Sequence, residues 1–115
     1  MKQLVAIEGC EVEVDLELGA SPDPRSGLFG YSDEVDALPH PVRDAVMDGA
    51  LTGMSEARSD GLIGVVDEIY LVHVTLRGEA PPDALRAAMR AAVLVAAGAV
   101  ARVVREGARW DVRRG

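Results

Sequence analysis

The chain has 115 residues, 49% of them hydrophobic and 27% charged, with a net charge of −7. That length supports one hydrophobic core rather than two, and that balance excludes a chain that is disordered throughout. A single cysteine, Cys10, excludes an internal disulfide and a multi-cysteine metal site, which suits a reducing, cytoplasmic setting.

The charge is unevenly spread. Residues 1–81 carry 16 acids and 5 bases, a balance of −11, whereas residues 82–115 carry 3 acids and 7 arginines, a balance of +4. An acidic surface repels phosphate backbones within a Debye length of ~8 Å at physiological salt, so DNA is not an expected partner and any RNA contact must use the arginine-bearing end. The N-terminus "MKQLVAIEGCEVEV" turns acidic too early for a secretory signal.

In chain order, "QLVAIE" reads as a strand. "CEVEVDLEL" follows as a second, in which Val12, Val14, Leu16 and Leu18 alternate with Glu11, Glu13, Asp15 and Glu17. One face is core and the other acid. Residues 19–27, "GASPDPRSG", have turn chemistry and predict a loop; "LFGYSDEV" supplies a third, weaker strand. A helix is then expected, opened near Pro41 and closed by Asp60 and Gly61. Within it Ala45, Gly49 and Gly53 recur every fourth residue, a ridge that lets a neighbouring backbone come close.

The fourth strand, "VVDEIYLVHVTL", places Tyr70, Val72, Val74 and Leu76 on one face and Ile69, Leu71, His73 and Thr75 on the other. It is expected inside the sheet. "RGEAPPD" is a tight connection, after which a last helix is predicted from Pro81–Asp83 to about Glu106, stopped by Gly107 and covering the fourth strand. Its uncharged segment, residues 91–101, spans roughly 16 Å as a helix, about half of a ~30 Å bilayer core, so a membrane is not an expected partner. An all-round apolar segment implies burial on several sides, against the sheet and against the first helix or another subunit. Three strands, a helix, a strand and a helix predict a two-layer α+β sandwich, 1–115 forming one domain with both helices on one face of the sheet.

Particular residues extend this. Leu38 and Pro39 precede Ala45, Val46 and Gly49 in the helix; Gly61, Leu62 and Gly64 follow it; Val65, Val66 and Asp67 start the fourth strand, and Val74, Thr75 and Leu76 end it. This pattern and the element order resemble domain IV of elongation factor G and its relatives. The resemblance implies a β-β-β-α-β-α order with a left-handed crossover and a contact with the ribosome, its rRNA or another ribonucleoprotein through the tip loop after the fourth strand. The chain departs from the family in four ways. The family's Tyr-Pro after the glycine is missing, Glu68 to Leu71 lengthen the strand by an even insertion that should preserve its faces, the tip "RGEAPPD" lacks the family's histidine, and the family's Gly- and Arg-rich loop near the first strands shrinks to "EGCE".

The arginines are the expected phosphate contacts: Arg77, beside Gly78 at the tip, and Arg102, Arg105, Arg109, Arg113 and Arg114 near the C-terminal end. A solvated surface and compensation of a helix C-terminus explain the same residues more blandly. A second reading is a homo-oligomeric interaction module that keeps the fold without a translation role, built on Val93, Leu94 and Val100 and on attraction between the acidic front and the basic end. No enzyme is expected: no P-loop occurs, Lys2 is the only lysine, and no catalytic constellation, cofactor or metal site is evident. Glu11, Glu13, Asp15 and Glu17 read as a solvated face before a cation site. Cys10 reads as inert before a nucleophile, His73 as structural before a general base, and His40 as a turn residue.

Overall fold

The computed structural model describes residues 2–7, 10–20, 29–31, 38–64, 67–78 and 81–115. The expected loop over 21–27, most of "LFGYSDEV", the tip residues Glu79 and Ala80, and the side chains of Cys10, Glu17 and His73 lie outside that description. Six strands and two helices are described: β1 (Lys2–Ile7), β2 (Cys10–Ala20), β3 (Phe29–Tyr31), α1 (His40–Ser59), β4 (Asp67–Gly78), α2 (Pro82–Ala96), β5 (Ala101–Glu106) and β6 (Arg109–Arg114). The chain is an α+β fold.

The first four strands form one sheet in the order β1-β2-β4-β3, so β4 is internal, as its apolar run predicts. β1 and β2 pair antiparallel, as do β2 and β4, whereas β3 runs parallel to β4 and is joined to it through α1. The alternation of β2 has its expected result: Val12, Val14 and Leu16 are wholly buried, while Glu11 is exposed. Fully burying a valine or leucine contributes about 1.5–3 kcal/mol, enough to fix the register of β2 against the helices. Gly19 and Ala20, expected in a loop, belong to this strand.

The expected faces of β4 hold only in part. Val14 pairs with Val74 and Val12 with Leu76, but the register shifts after Asp15, so that Asp15 is opposite His73 and Leu16 is opposite Leu71. Val72 is the extra residue of a β-bulge. One inserted residue reverses the matching, so Leu71 and not Val72 is paired with the buried Leu16. The strand itself runs unbroken through Glu68 to Leu71, and the bulge lies just beyond them.

Helix α1 starts at His40, which is its first residue rather than a turn residue, after Pro39 as N-cap; Pro41 sits in the first turn, where its missing N–H costs nothing. It ends as predicted. Gly61 at φ 73° lets its own N–H reach the Arg58 carbonyl and the Leu62 N–H reach the Ala57 carbonyl, a Schellman closure. The ridge of Ala45, Gly49, Gly53 and Ala57 faces α2 and is buried. A Cβ at Gly49 would stand 2.3 Å from the Arg86 carbonyl oxygen, and one at Gly53 would stand 2.9 Å from Val93 Cβ. The two glycines permit a helix contact that side chains would prevent.

The last helix is shorter than predicted. It stops at Ala96 because Gly98, at φ 99°, repeats the Schellman closure: its N–H reaches the Val95 carbonyl and the Ala99 N–H reaches the Leu94 carbonyl. Residues 101–106, expected as helix, are β5. With β6 they form an antiparallel hairpin that the expected element order lacks. Its two-residue loop is Gly107-Ala108, with Gly107 at φ 63° and Ala108 at negative φ, which suits a type II′ turn.

Both helices lie over the face of the sheet that carries Val12 and Val14. The last helix covers β1 and β2 rather than β4, and α1 approaches β4. The all-round apolar α2 is buried on three sides, by the sheet, by α1 and by the hairpin. One core cluster joins Val12, Val14, Leu16 and Val74 to Val46, Met54, Leu85, Met89 and Val93. A second joins Ala57, Ala87, Ala91 and Leu94 to Val112, with Val103 and Trp110 against it. Val93 and Leu94, expected at an oligomer interface, are thus wholly buried within their own chain, because the hairpin and α1 occupy the faces they were assigned to. Of the three interface residues only Val100 is on the surface, 71% exposed.

Candidate functional site

The arginines expected to contact phosphate fall into two places with different electrostatics. Arg77 lies near the end of β4, directly opposite Glu11 on β2. Its guanidinium is 3.8 Å from Glu11 Oε2 and 3.9 Å from Glu13 Oε2. All three groups are substantially solvated, so each pair contributes only about 0–1 kcal/mol, but together they offset the charge that a phosphate would meet. The outer sheet face therefore carries Arg77 amid acids, and Gly78 ends the strand at φ 100°.

The other five arginines are brought together by the β5–β6 hairpin, which a helical reading of residues 101–106 would have scattered around a cylinder. Cross-strand pairing sets Arg102 opposite Arg113, Arg105 opposite Trp110, Glu106 opposite Arg109 and Ala101 opposite Arg114. Residues directly opposite share a face. Val103, Val112 and Trp110 pack toward α2, and Arg105 lies over the Trp110 ring at 5.4 Å from its centroid. The Arg105 Nε also donates to the Gly107 carbonyl at 3.0 Å, so the stack and that bond together hold the guanidinium in place. The hairpin, residues 101–114, carries five arginines, one glutamate and one aspartate, a balance of +3 in a chain of −7.

Acids from α1 tie this hairpin and α2 down. Asp48, Glu56 and Asp60, at spacings of eight and four, run beside the glycine ridge. Arg86 Nε donates to Asp48 Oδ2 at 2.9 Å and Arg86 Nη1 to Asp83 Oδ1 at 2.7 Å. Arg90 pairs with Glu56 and also donates to Asp111 Oδ1 at 3.2 Å, and Arg114 pairs with Asp60. The Val112 N–H donates to Asp111 Oδ1 at 2.8 Å. That bond, aided by the charge and hydrogen bond of Arg90 and by the charge of Arg109, holds the Asp111 carboxyl below its ordinary value of 3.8, against an opposing effect of desolvation that is second only to the Val112 bond.

Two cavities flank the hairpin. One, of about 220 Å³, opens between α1, α2 and the hairpin turn, with Thr52, Arg86, Arg90, Arg109, Trp110 and Asp111 among its walls. Arg86 and Arg90 are already committed to carboxylates there, so its chief role is to interlock three elements. The other, of about 230 Å³, lies at the open end of the hairpin, where the Gly115 N–H donates to the Val100 carbonyl at 3.1 Å. Arg102, Arg113 and Arg114 supply all of its charged walls.

Sequence reasoning named the five hairpin arginines but missed Arg86 and Arg90, whose four-residue spacing faces the acids of α1. Among the described residues no group of three or more His, Cys, Asp or Glu side chains is arranged to hold a metal ion, and no helix is long and apolar enough to cross a membrane. Comparison with models of known protein families, with curated proteins and with solved structures found nothing that matches this chain.

Proposed function

We propose that this chain is a non-catalytic RNA-associating domain, akin to domain IV of elongation factor G, that docks on the ribosome or another ribonucleoprotein through its basic hairpin. The observation that carries the reading is the gathering of Arg102, Arg105, Arg109, Arg113 and Arg114 on one two-stranded ribbon at +3, in a chain of −7. By register, Arg102, Arg109 and Arg113 share one face of the ribbon, and Arg105 and Arg114 the other with Val103 and Val112; the first face meets a polyanion while the acidic sheet face repels the same polymer, so the charge asymmetry orients the contact. The described elements through α2 follow the β-β-β-α-β-α order that the resemblance implies. The hairpin is an addition to the family's order, and the acids around Arg77 weaken the tip as a contact. Binding is accordingly expected to centre on the hairpin.

The test is co-sedimentation with ribosomes across a salt series, comparing wild type with Arg102→Glu and Arg77→Glu. Three phosphate contacts on single-stranded RNA would give a log–log salt slope of about −2. Loss with Arg102→Glu and near-retention with Arg77→Glu is the expected pattern; absence of co-sedimentation at low salt rejects the reading.

A second reading is a self-associating module in which the hairpin of one copy meets the acidic sheet face of another. The exposed Val100 beside the basic hairpin, and Glu11 and Glu13 on the sheet face, favour it. A salt-sensitive dimer by light scattering that dissociates in Val100→Asp would select this reading; a monomer at all salt concentrations would remove it.

A further inference from the structure

We propose that the cavity between α1, α2 and the turn of the hairpin takes an unstacked nucleobase against the ring of Trp110. Its walls come from three elements: Thr52 on α1, the stripe of Asp83, Arg86 and Arg90 on α2, and residues 108–111 of the turn and β6. Among the described residues none of β5 takes part, so the cavity lies on the side of β6 turned away from β5. Trp110 packs toward α2, and Arg105, directly opposite it on β5, lies over one face of its ring at 5.4 Å from the centroid. The other face is turned away from β5, toward the cavity that Trp110 lines.

The pairings that interlock the three elements also decide what can enter. Arg86 is held by Asp48 and Asp83, and Arg90 by Glu56 and Asp111. Four carboxylates thus meet two guanidiniums, and Arg109 adds a third, so an anion inside finds no net positive charge. A neutral planar ring meets no such barrier. Stacking on an aromatic side chain tolerates any base, because every base has a π-face. Size narrows the choice: a cavity of about 150 Å³ holds benzene, so one of about 220 Å³ holds a single ring with its exocyclic groups, a pyrimidine.

Position links the cavity to the basic face of the hairpin. Arg109 is at once in the cavity wall and on the face of the ribbon that carries Arg102 and Arg113. Arg113 and Arg109 are four positions apart on β6, roughly 13 Å along the strand. A phosphate backbone that follows this face arrives at the mouth of the cavity, where its charge stays outside and the adjoining base turns in. The inference deepens the RNA reading and rests on it for the source of the base, a single strand; the fit of the cavity does not depend on that source.

Trp110 is the only tryptophan of the chain, so its fluorescence reports on the cavity directly. The whole chain is titrated with uridine and with dihydrouridine, which keeps the hydrogen-bonding edge of the base but lacks its aromatic ring. Three proteins are compared: wild type, Thr52→Phe, whose larger side chain fills the cavity, and Arg102→Glu on the outer face of the hairpin. A 3′-labelled oligouridylate is titrated against the same three by fluorescence anisotropy at low salt. Saturable quenching by uridine is expected, about tenfold weaker for dihydrouridine and in Thr52→Phe but unchanged in Arg102→Glu, whereas the oligouridylate should bind both variants more weakly than wild type. Uridine that leaves the fluorescence unaltered, or acts equally on wild type and Thr52→Phe, overturns the site even if the oligouridylate binds; so does dihydrouridine that binds as tightly as uridine. Thr52→Phe-sensitive uridine binding with no oligouridylate binding upholds the cavity, rejects the RNA reading and leaves a free base or nucleoside as occupant. Thr52 is exposed, so an unchanged melting temperature will show that its variant retains the fold.

Discussion

Replacing Gly49 by alanine tests the helix contact that organises the core. In an open helix the change would stabilise by about 1 kcal/mol, because alanine is the better helix former. Here the new Cβ would lie 2.3 Å from the Arg86 carbonyl oxygen and 2.8 Å from Met89 Cβ. An ordinary contact is roughly 3.4 Å or longer, so α1 and α2 must separate by about 1 Å, and the obstacle is backbone that moves only with its helix. Overpacking costs about 1–3 kcal/mol, and rigid backbone puts this case near the upper end. Subtracting the propensity gain leaves a destabilisation of about 2 kcal/mol, a drop in Tm of roughly 8 °C for a chain of this size. Gly53→Ala meets its nearest atoms at 2.9 and 3.0 Å and is expected to cost less than half as much. Ser55→Ala, on the exposed side of α1, should stay within about 0.5 kcal/mol of wild type. Thermal and urea unfolding by circular dichroism measure all three. A Gly49→Ala protein that melts at or above the wild-type temperature would refute the close approach of the helices.

Other consequences follow from the same contacts. Val93→Asp places an unpaired charge in a wholly buried position and should cost more than about 4 kcal/mol, leaving little folded protein by circular dichroism, whereas Val100→Asp at an exposed site should change stability by less than about 0.5 kcal/mol. Gly98→Ala forces a side chain into a left-handed backbone conformation and should destabilise by about 1–2 kcal/mol, read as a shift of the urea midpoint. The Asp111 carboxyl binds its proton less readily in the folded protein than in the unfolded chain, so its contribution is present above its unfolded value and is lost as pH falls through the lower folded value. Urea midpoints measured from pH 5 downward should therefore fall less steeply in Asp111→Asn than in wild type; parallel slopes would contradict the assigned cause.

Much of the fold was legible because its signals are local. The alternation of acids and valines in β2, the glycine ridge of α1 and the Asp60-Gly61 stop each follow from a short-range period or a backbone requirement, and each reappears in the structure. The C-terminal hairpin was misread because "AAVLVAAGAVARVVREG" is alanine-rich before Gly98 and β-branched after it. An isolated glycine in such a run is compatible with a helix interior, and only the left-handed conformation of Gly98 reveals the stop. The Gly107-Ala108 pair between Val103 and Val112 was the available signal for a hairpin, outweighed by the long alanine-rich period before it. The bulge at Val72 left no local mark, since register belongs to the pairing of two strands and not to either one.

The candidate site divides in the same way. Sequence by itself determined that the chain has an acidic front and an arginine-rich end, that β2 would present one acidic face, and that α1 would carry a close-packing ridge, since composition and periodicity need no partner. Only the tertiary structure decided that Val93 and Leu94 are interior, that Arg77 is shared between two glutamates, and that Arg102 and Arg113 stand opposed across a hairpin beside Arg114. Those outcomes depend on which segments meet, and a charge acquires its chemical meaning from the neighbours that folding brings to it.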